Sequence, residues 1–132
     1  MDREVAEATQ HEDVFDRLRL IRSANIGPVT YVQLIKRFGS AGIALDALPE
    51  LAKVGGARAP RIADAKQVET ELHAIEKLSA KLLFLGDRDY PYILSELDNA
   101  PPVLIWRGHL APLQKPVVAI VGARNASVAA SR

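Results

Sequence analysis

Residues 26–40, IGPVTYVQLIKRFGS, carry both ends of a helix and its buried face. Gly27 allows the backbone angles of a tight turn, and Pro28 suits a first helical position, where an amide hydrogen is not needed. Tyr31, Leu34, Ile35 and Phe38 follow at i, i+3, i+4 and i+7, which draws one apolar stripe. Gly39 is a natural C-terminal stop. Upstream, Val14, Leu18 and Ile21, with Phe15 beside them, predict an amphipathic helix from about Glu12 to Ser23, broken at Asn25-Ile26-Gly27-Pro28. Downstream, a short helix is expected over Gly42 to Leu48, with Pro49 able to start another turn. Val54-Gly55-Gly56 is a second tight turn. Ile62, Ala65, Val68, Leu72, Ile75 and Leu78 then mark one face of a longer helix. Residues 12–80 therefore read as a bundle of short helices, and residues 1–11 as a disordered acidic N-terminus.

The character of the chain changes at Lys81. Leu82-Leu83-Phe84-Leu85, Val103-Leu104-Ile105-Trp106 and Val117-Val118-Ala119-Ile120-Val121 are short apolar runs ended by glycine-containing turns. Such runs predict buried strands. The fold class is thus α/β overall: a helical N-terminal domain with helix-hairpin-helix character, then the first part of an α/β domain over 81–132. A buried strand at 117–121 needs neighbours on both sides and helices over both faces. Only two other candidates exist, so the chain is expected to be the front part of a longer α/β protein or to pair with another chain.

The 132 residues include no cysteine, which excludes disulfides, thiol catalysis and zinc–thiolate sites. No apolar run approaches the ~20 residues of a membrane span. The acidic start is unlike a secretory signal. A net charge of +1 excludes a histone-like polycation, but the charge is unevenly placed. Residues 1–16 carry six acids (Asp2, Glu4, Glu7, Glu12, Asp13, Asp16) against Arg3 alone. Residues 17–37 carry Arg17, Arg19, Arg22, Lys36 and Arg37 and no acid. This stretch reads either as a solvated helical face or as a basic surface for phosphate backbones.

Two motifs carry chemistry. A glycine-hinged turn between helices can aim backbone N–H groups at a phosphate, as in helix-hairpin-helix DNA binders. Gly27, Gly55 and Gly56, with Lys36 and Arg37, are the candidate contacts of that kind; the plainer alternative is an ordinary helix–helix turn. The second motif is VVAIVGARNAS, residues 117–127. An apolar strand running into Gly122, with a helix expected after it, is where α/β folds hold phosphate. A dinucleotide fingerprint would need glycine at 124 and 127, where Arg124 and Ser127 stand. Arg124 offers a forked cation suited to a phosphodiester, and Ser127 a capping hydroxyl. A standard NAD site and a Walker loop are excluded; no cofactor is expected. His11, His73 and His109 lack metal-ligand spacing, so no metal site is expected. Asp87 and Asp89 fit a charged turn better than a catalytic pair. Trp106, inside an apolar run, fits core packing better than base stacking.

The order of these features resembles the DNA processing protein A family (DprA, also called Smf). The resemblance rests on IGPVTYVQLIKRFGS, on GDRDYPYILSELDNAPPVLIWRG with its spacing from Tyr90 through Pro101-Pro102 to Gly108, and on VVAIVGARNAS. It covers most of residues 14–132. It implies a cytoplasmic protein, not an enzyme, that binds and protects single-stranded DNA and helps load the RecA recombinase in natural transformation. It further implies a sterile-alpha-motif-like helical domain, a Rossmann-like DNA-binding domain and a homodimer. The family's phosphate-facing turn falls on Gly122, Arg124 and Ser127. Ala123 and Ala130 depart from the family pattern, which often has Ser or Thr and Gly there. The rival readings are a nucleotide phosphoribohydrolase-like Rossmann enzyme and a helical protein-interaction module.

Overall fold

The computed structural model describes residues 2–54 and 60–122. Four helices come first: α1 (Asp2–Arg22), α2 (Pro28–Phe38), α3 (Ala41–Val54) and α4 (Ala65–Lys77). Strand β1 (Lys81–Phe84), the single-turn helix α5 (Tyr92–Ser95), strand β2 (Val103–Trp106) and a 3-10 turn at Ala111–Gln114 follow.

α1 is the central helix, and it packs on α2, α3 and α4. Leu18 and Leu20 show why. Both are fully buried, yet two residues turn a helix by about 200°, so they face opposite sides. The stripe through Val14, Leu18 and Ile21 accounts for only one of those sides. The main core gathers Leu20, Ile26, Tyr31, Leu34, Ala41, Ala44, Leu45 and Leu48. On the other side Leu18 is buried, as are Val68 and Ile75 of α4.

α2 has the ends its sequence predicts. Gly27 is its N-cap and Pro28 its first residue. Gly39 closes it at φ +82°, donating its N–H to the Ile35 carbonyl. Asn25 takes a left-handed φ of 64° in the turn before it, a conformation Asn tolerates better than most residues.

Two helices extend beyond expectation. α1 begins at Asp2, so the acidic segment expected to be disordered over 1–11 is helical from residue 2. Acidic residues near a helix N-terminus complement its dipole, and Ala6 and Glu7 are good helix formers. α3 runs through Pro49 instead of restarting there. Leu45 and Leu48 before the proline and Ala52 after it are buried on the same bundle, which holds one helix across the missing N–H.

The two strands pair antiparallel, from Lys81 opposite Trp106 to Phe84 opposite Val103. Trp106 is half-buried, with the Lys81 ammonium 5.8 Å from its ring centre. The expected third strand is not formed. Residues 116–122 have no regular structure, and Val118, Ile120 and Val121 are 91%, 96% and 95% exposed. An extended segment becomes a strand only when a ladder partner takes its N–H and C=O groups. Among the described residues, the sheet has two strands and none pairs with this segment.

Candidate nucleic-acid interface

The acid-free stretch does not form one basic face. Arg17 turns inward between the helices and the sheet. Its Nε donates to the Tyr31 hydroxyl at 3.1 Å, its Nη2 to the Leu85 carbonyl at 3.3 Å and its Nη1 to Asp87 at 3.4 Å. Its guanidinium also lies 4.3 Å from the Phe84 ring centre. Burial pulls the Arg17 pKa down, but the Tyr31 hydrogen bond and the charges of Asp87 and Asp13 carry it above its ordinary value. Arg17 is thus a structural joint, and Asp87, which also accepts the Phe84 N–H at 2.7 Å, belongs to a turn.

Arg19 and Arg22 leave α1 toward α4. Arg19 Nε donates to the Ala63 carbonyl at 3.0 Å. Arg22 forks onto Glu71, with Nη2 2.6 Å from Oε1 and Nε 3.0 Å from Oε2. Ser23, buried at the end of this turn, donates to the Arg19 carbonyl and accepts the Ala63 N–H. Ala24 N–H donates to the Arg61 carbonyl at 3.0 Å. These bonds strap residues 61–63 against the C-terminal turn of α1. Asp64 then caps α4, accepting the Lys66 N–H at 2.7 Å.

The strap walls a cleft of about 1020 Å³ between the end of α1 and the start of α4. Its cationic lining is Arg19, Arg22, Arg61 and Lys66; its acids are Asp64 and Glu71. Arg61 and Lys66 are exposed, and no ion pair involves either among the described residues. The charge asymmetry over 17–37 pointed toward Arg19 and Arg22. Nothing local pointed to Arg61 and Lys66, which the strap brings to the same cleft.

The predicted contact residues are dispersed. Gly27 is exposed at the N-terminus of α2, while Lys36 and Arg37 are exposed in its last turn. A rise of 1.5 Å per residue puts about 13 Å of helix between Gly27 and Lys36. They form no single cluster, and Lys36 and Arg37 suit the negative end of the α2 dipole. None of the three lines the cleft. Gly122 is exposed, with open space where a Cβ would stand. Gly55, Gly56, Arg124 and Ser127 lie outside the described residues.

The motif from Tyr90 to Gly108 proves architectural. Tyr90 is buried and its hydroxyl donates to the Pro101 carbonyl at 2.8 Å. Leu85 N–H donates to the Pro102 carbonyl at 3.0 Å, one step beyond the β1–β2 ladder. Gly108 takes φ +104°, where side chains are strained. A second groove, of about 270 Å³, lies between α1 and α4 beside Phe15, Leu72, His11 and His73. Among the described residues, no group of three His, Cys, Asp or Glu could hold a metal ion. No helix of the described residues is long and apolar enough to cross a membrane.

Four helices joined through Arg17 to a small antiparallel sheet, with a cleft lined by Arg19, Arg22, Arg61 and Lys66, define a helical domain followed by a mixed helix–strand segment. Residues 11–74 match the DprA-like N-terminal HHH domain, and residues 81–132 match DNA recombination-mediator protein A. The two matches leave only residues 1–10 and 75–80 unclaimed, and the chain belongs to the DprA family of DNA recombination mediators. No curated protein matches it.

Proposed function

We propose that the protein binds single-stranded DNA in the cytoplasm during transformation, protects it and assists loading of the RecA recombinase. The observation that carries this reading is the succession of the two family matches, in the order helical domain then recombination-mediator domain. The second match contains the phosphate motif GARNAS, residues 122–127. In this reading residues 81–132 open a Rossmann-like domain, and Val117–Val121 becomes a strand once its ladder partners are present. The backbone at Gly122, the guanidinium of Arg124 and the hydroxyl of Ser127 then face the phosphodiester. A homodimer forms through the same domain. Nothing in this arrangement calls for catalysis: a glycine turn and an arginine hold phosphate without cleaving it.

The test is fluorescence anisotropy of a labelled oligothymidylate over a salt series. Binding is expected to weaken with salt by about 0.7 in log–log slope for each phosphate neutralised. Arg124→Ala is expected to bind several-fold more weakly, to a similar extent for oligonucleotides of different sequence. Binding by Arg124→Ala equal to the parent across the salt series would remove Arg124 from the site. No binding by the parent would overturn the DNA reading.

A further inference from the structure

We infer that the cleft between the end of α1 and the start of α4 is a second seat for the phosphodiester backbone, on the helical domain itself. This inference rests on the DNA-binding reading above, but on none of its residues.

The cleft's cations come from three places: Arg19 and Arg22 on α1, Arg61 in the strap, and Lys66 in the first turn of α4. They differ in their freedom to meet a ligand. Arg19 spends its Nε on the Ala63 carbonyl, which fixes the side chain and leaves the outer edge of its fork. Arg22 is held by Glu71 through its Nε/Nη2 edge, with no bond from Nη1 among the described residues. Arg61 and Lys66 project from the rim into solvent, and Arg61 contributes to the strap only through its backbone carbonyl. One cation fixed on the strap, one paired with Glu71 and two exposed ones suit an anion that runs along the cleft.

Three features narrow the ligand. At about 1020 Å³ the cleft is at the upper end for small-molecule pockets and far larger than one phosphate needs. The lining also includes Ala24, Ala63 and Ala65, small apolar groups that leave room for sugar and base edges. The α4 N-terminus is not the seat, because the Asp64 carboxylate already occupies it. Recognition therefore falls on arginine forks and a lysine, which is backbone rather than base recognition. Glu71, which also lines the cleft, is paired with Arg22 and so is an internal competitor for any phosphate.

The experiment uses the full chain, a labelled oligothymidylate, and the variants Arg61→Ala/Lys66→Ala, Glu71→Gln and Arg124→Ala. Both residues of the double variant are exposed, so its thermal midpoint is expected to match the parent. Loss of two phosphate contacts is expected to reduce the salt slope by about 1.4. The parent's advantage over the double variant then shrinks about sevenfold between 50 and 200 mM salt. Glu71→Gln removes the competitor and is expected to bind more tightly, an effect that mere structural damage would not give. Affinity and slope equal to the parent in the double variant would overturn the cleft. If Arg124→Ala binds weakly in the same series, the reading of the glycine turn stands without it. Displacement of the oligonucleotide by millimolar inorganic phosphate, abolished in the double variant, would overturn the backbone assignment in favour of a single-anion seat. No binding by the parent would overturn both readings.

Discussion

Replacing Arg17 by methionine should show how the helices are held to the sheet. Methionine keeps the length of the apolar stem but deletes the fork. The loss has three parts. The Tyr31 hydroxyl, on a residue only 2% exposed, forfeits its Arg17 partner, which costs about 1 kcal/mol. The guanidinium over Phe84 contributes about another 1 kcal/mol in this part-buried setting. The bonds to Leu85 O and Asp87 are long, and Asp87 is partly solvated and keeps the Phe84 N–H, so they add up to about 1 kcal/mol more. The sum is about 2–3 kcal/mol, or roughly 8–12 °C in thermal midpoint for a domain of this size. Urea unfolding followed by circular dichroism measures it. Hydrogen exchange adds a local readout: the amides of Phe84, Leu85 and Asp87 should lose protection more than those of α3. A double-mutant cycle with Phe84→Leu should return about 1 kcal/mol of coupling. A total loss below about 0.5 kcal/mol, or exchange rising equally in α3, would refute the joint.

Asp64→Ala removes the side-chain N-cap of α4 and should cost about 1 kcal/mol in urea unfolding. Tyr90→Phe deletes the hydroxyl bond to the Pro101 carbonyl and should cost about 1 kcal/mol, with faster exchange at Leu85. Burial, and the nearby carboxylates of Glu12, Asp46 and Asp13, raise the Asp16 pKa against the opposing pull of Arg19. The folded form therefore holds the Asp16 proton more tightly than the unfolded form, so its ionisation costs stability as pH rises from the ordinary value of 3.8 through the raised folded value. Asp16→Asn should raise the thermal midpoint at pH 7 and leave it unchanged below pH 3, in a pH series of melts.

The helix at Pro28–Phe38 was legible because everything that defines it is local: a glycine and proline at one end, a glycine at the other, a stripe between. The strands Lys81–Phe84 and Val103–Trp106 were legible as apolar runs between turns. Features set by distant partners were not. Leu20 lies off the α1 stripe and is buried because α1 meets helices on two sides. Pro49 reads as a break, and only the bundle holds α3 through it. Val117–Val121 carries every local mark of a strand, but a strand also needs a neighbour. The candidate site divides the same way. Net positive charge over 17–37 was plain, but its destinations were not: Arg17 meets Asp87 seventy residues away. Arg22 meets Glu71 forty-nine residues away. Arg61 and Lys66 join Arg19 and Arg22 only through the strap that Ser23 and Ala24 hold.

The uncovered run Val117–Val121 also bears on how the chain behaves at high concentration. Five β-prone or small apolar residues, without charge, glycine or proline, are the composition from which intermolecular cross-β stacks grow. Lys115 and Pro116 stand immediately before it and Gly122 after it, the positions where natural sequences set gatekeepers against such stacking. The lysine repels a second copy and the proline withholds a donor from any incoming edge. Solubility of this polypeptide should therefore depend on Lys115 and Pro116 far more than their exposure alone would suggest.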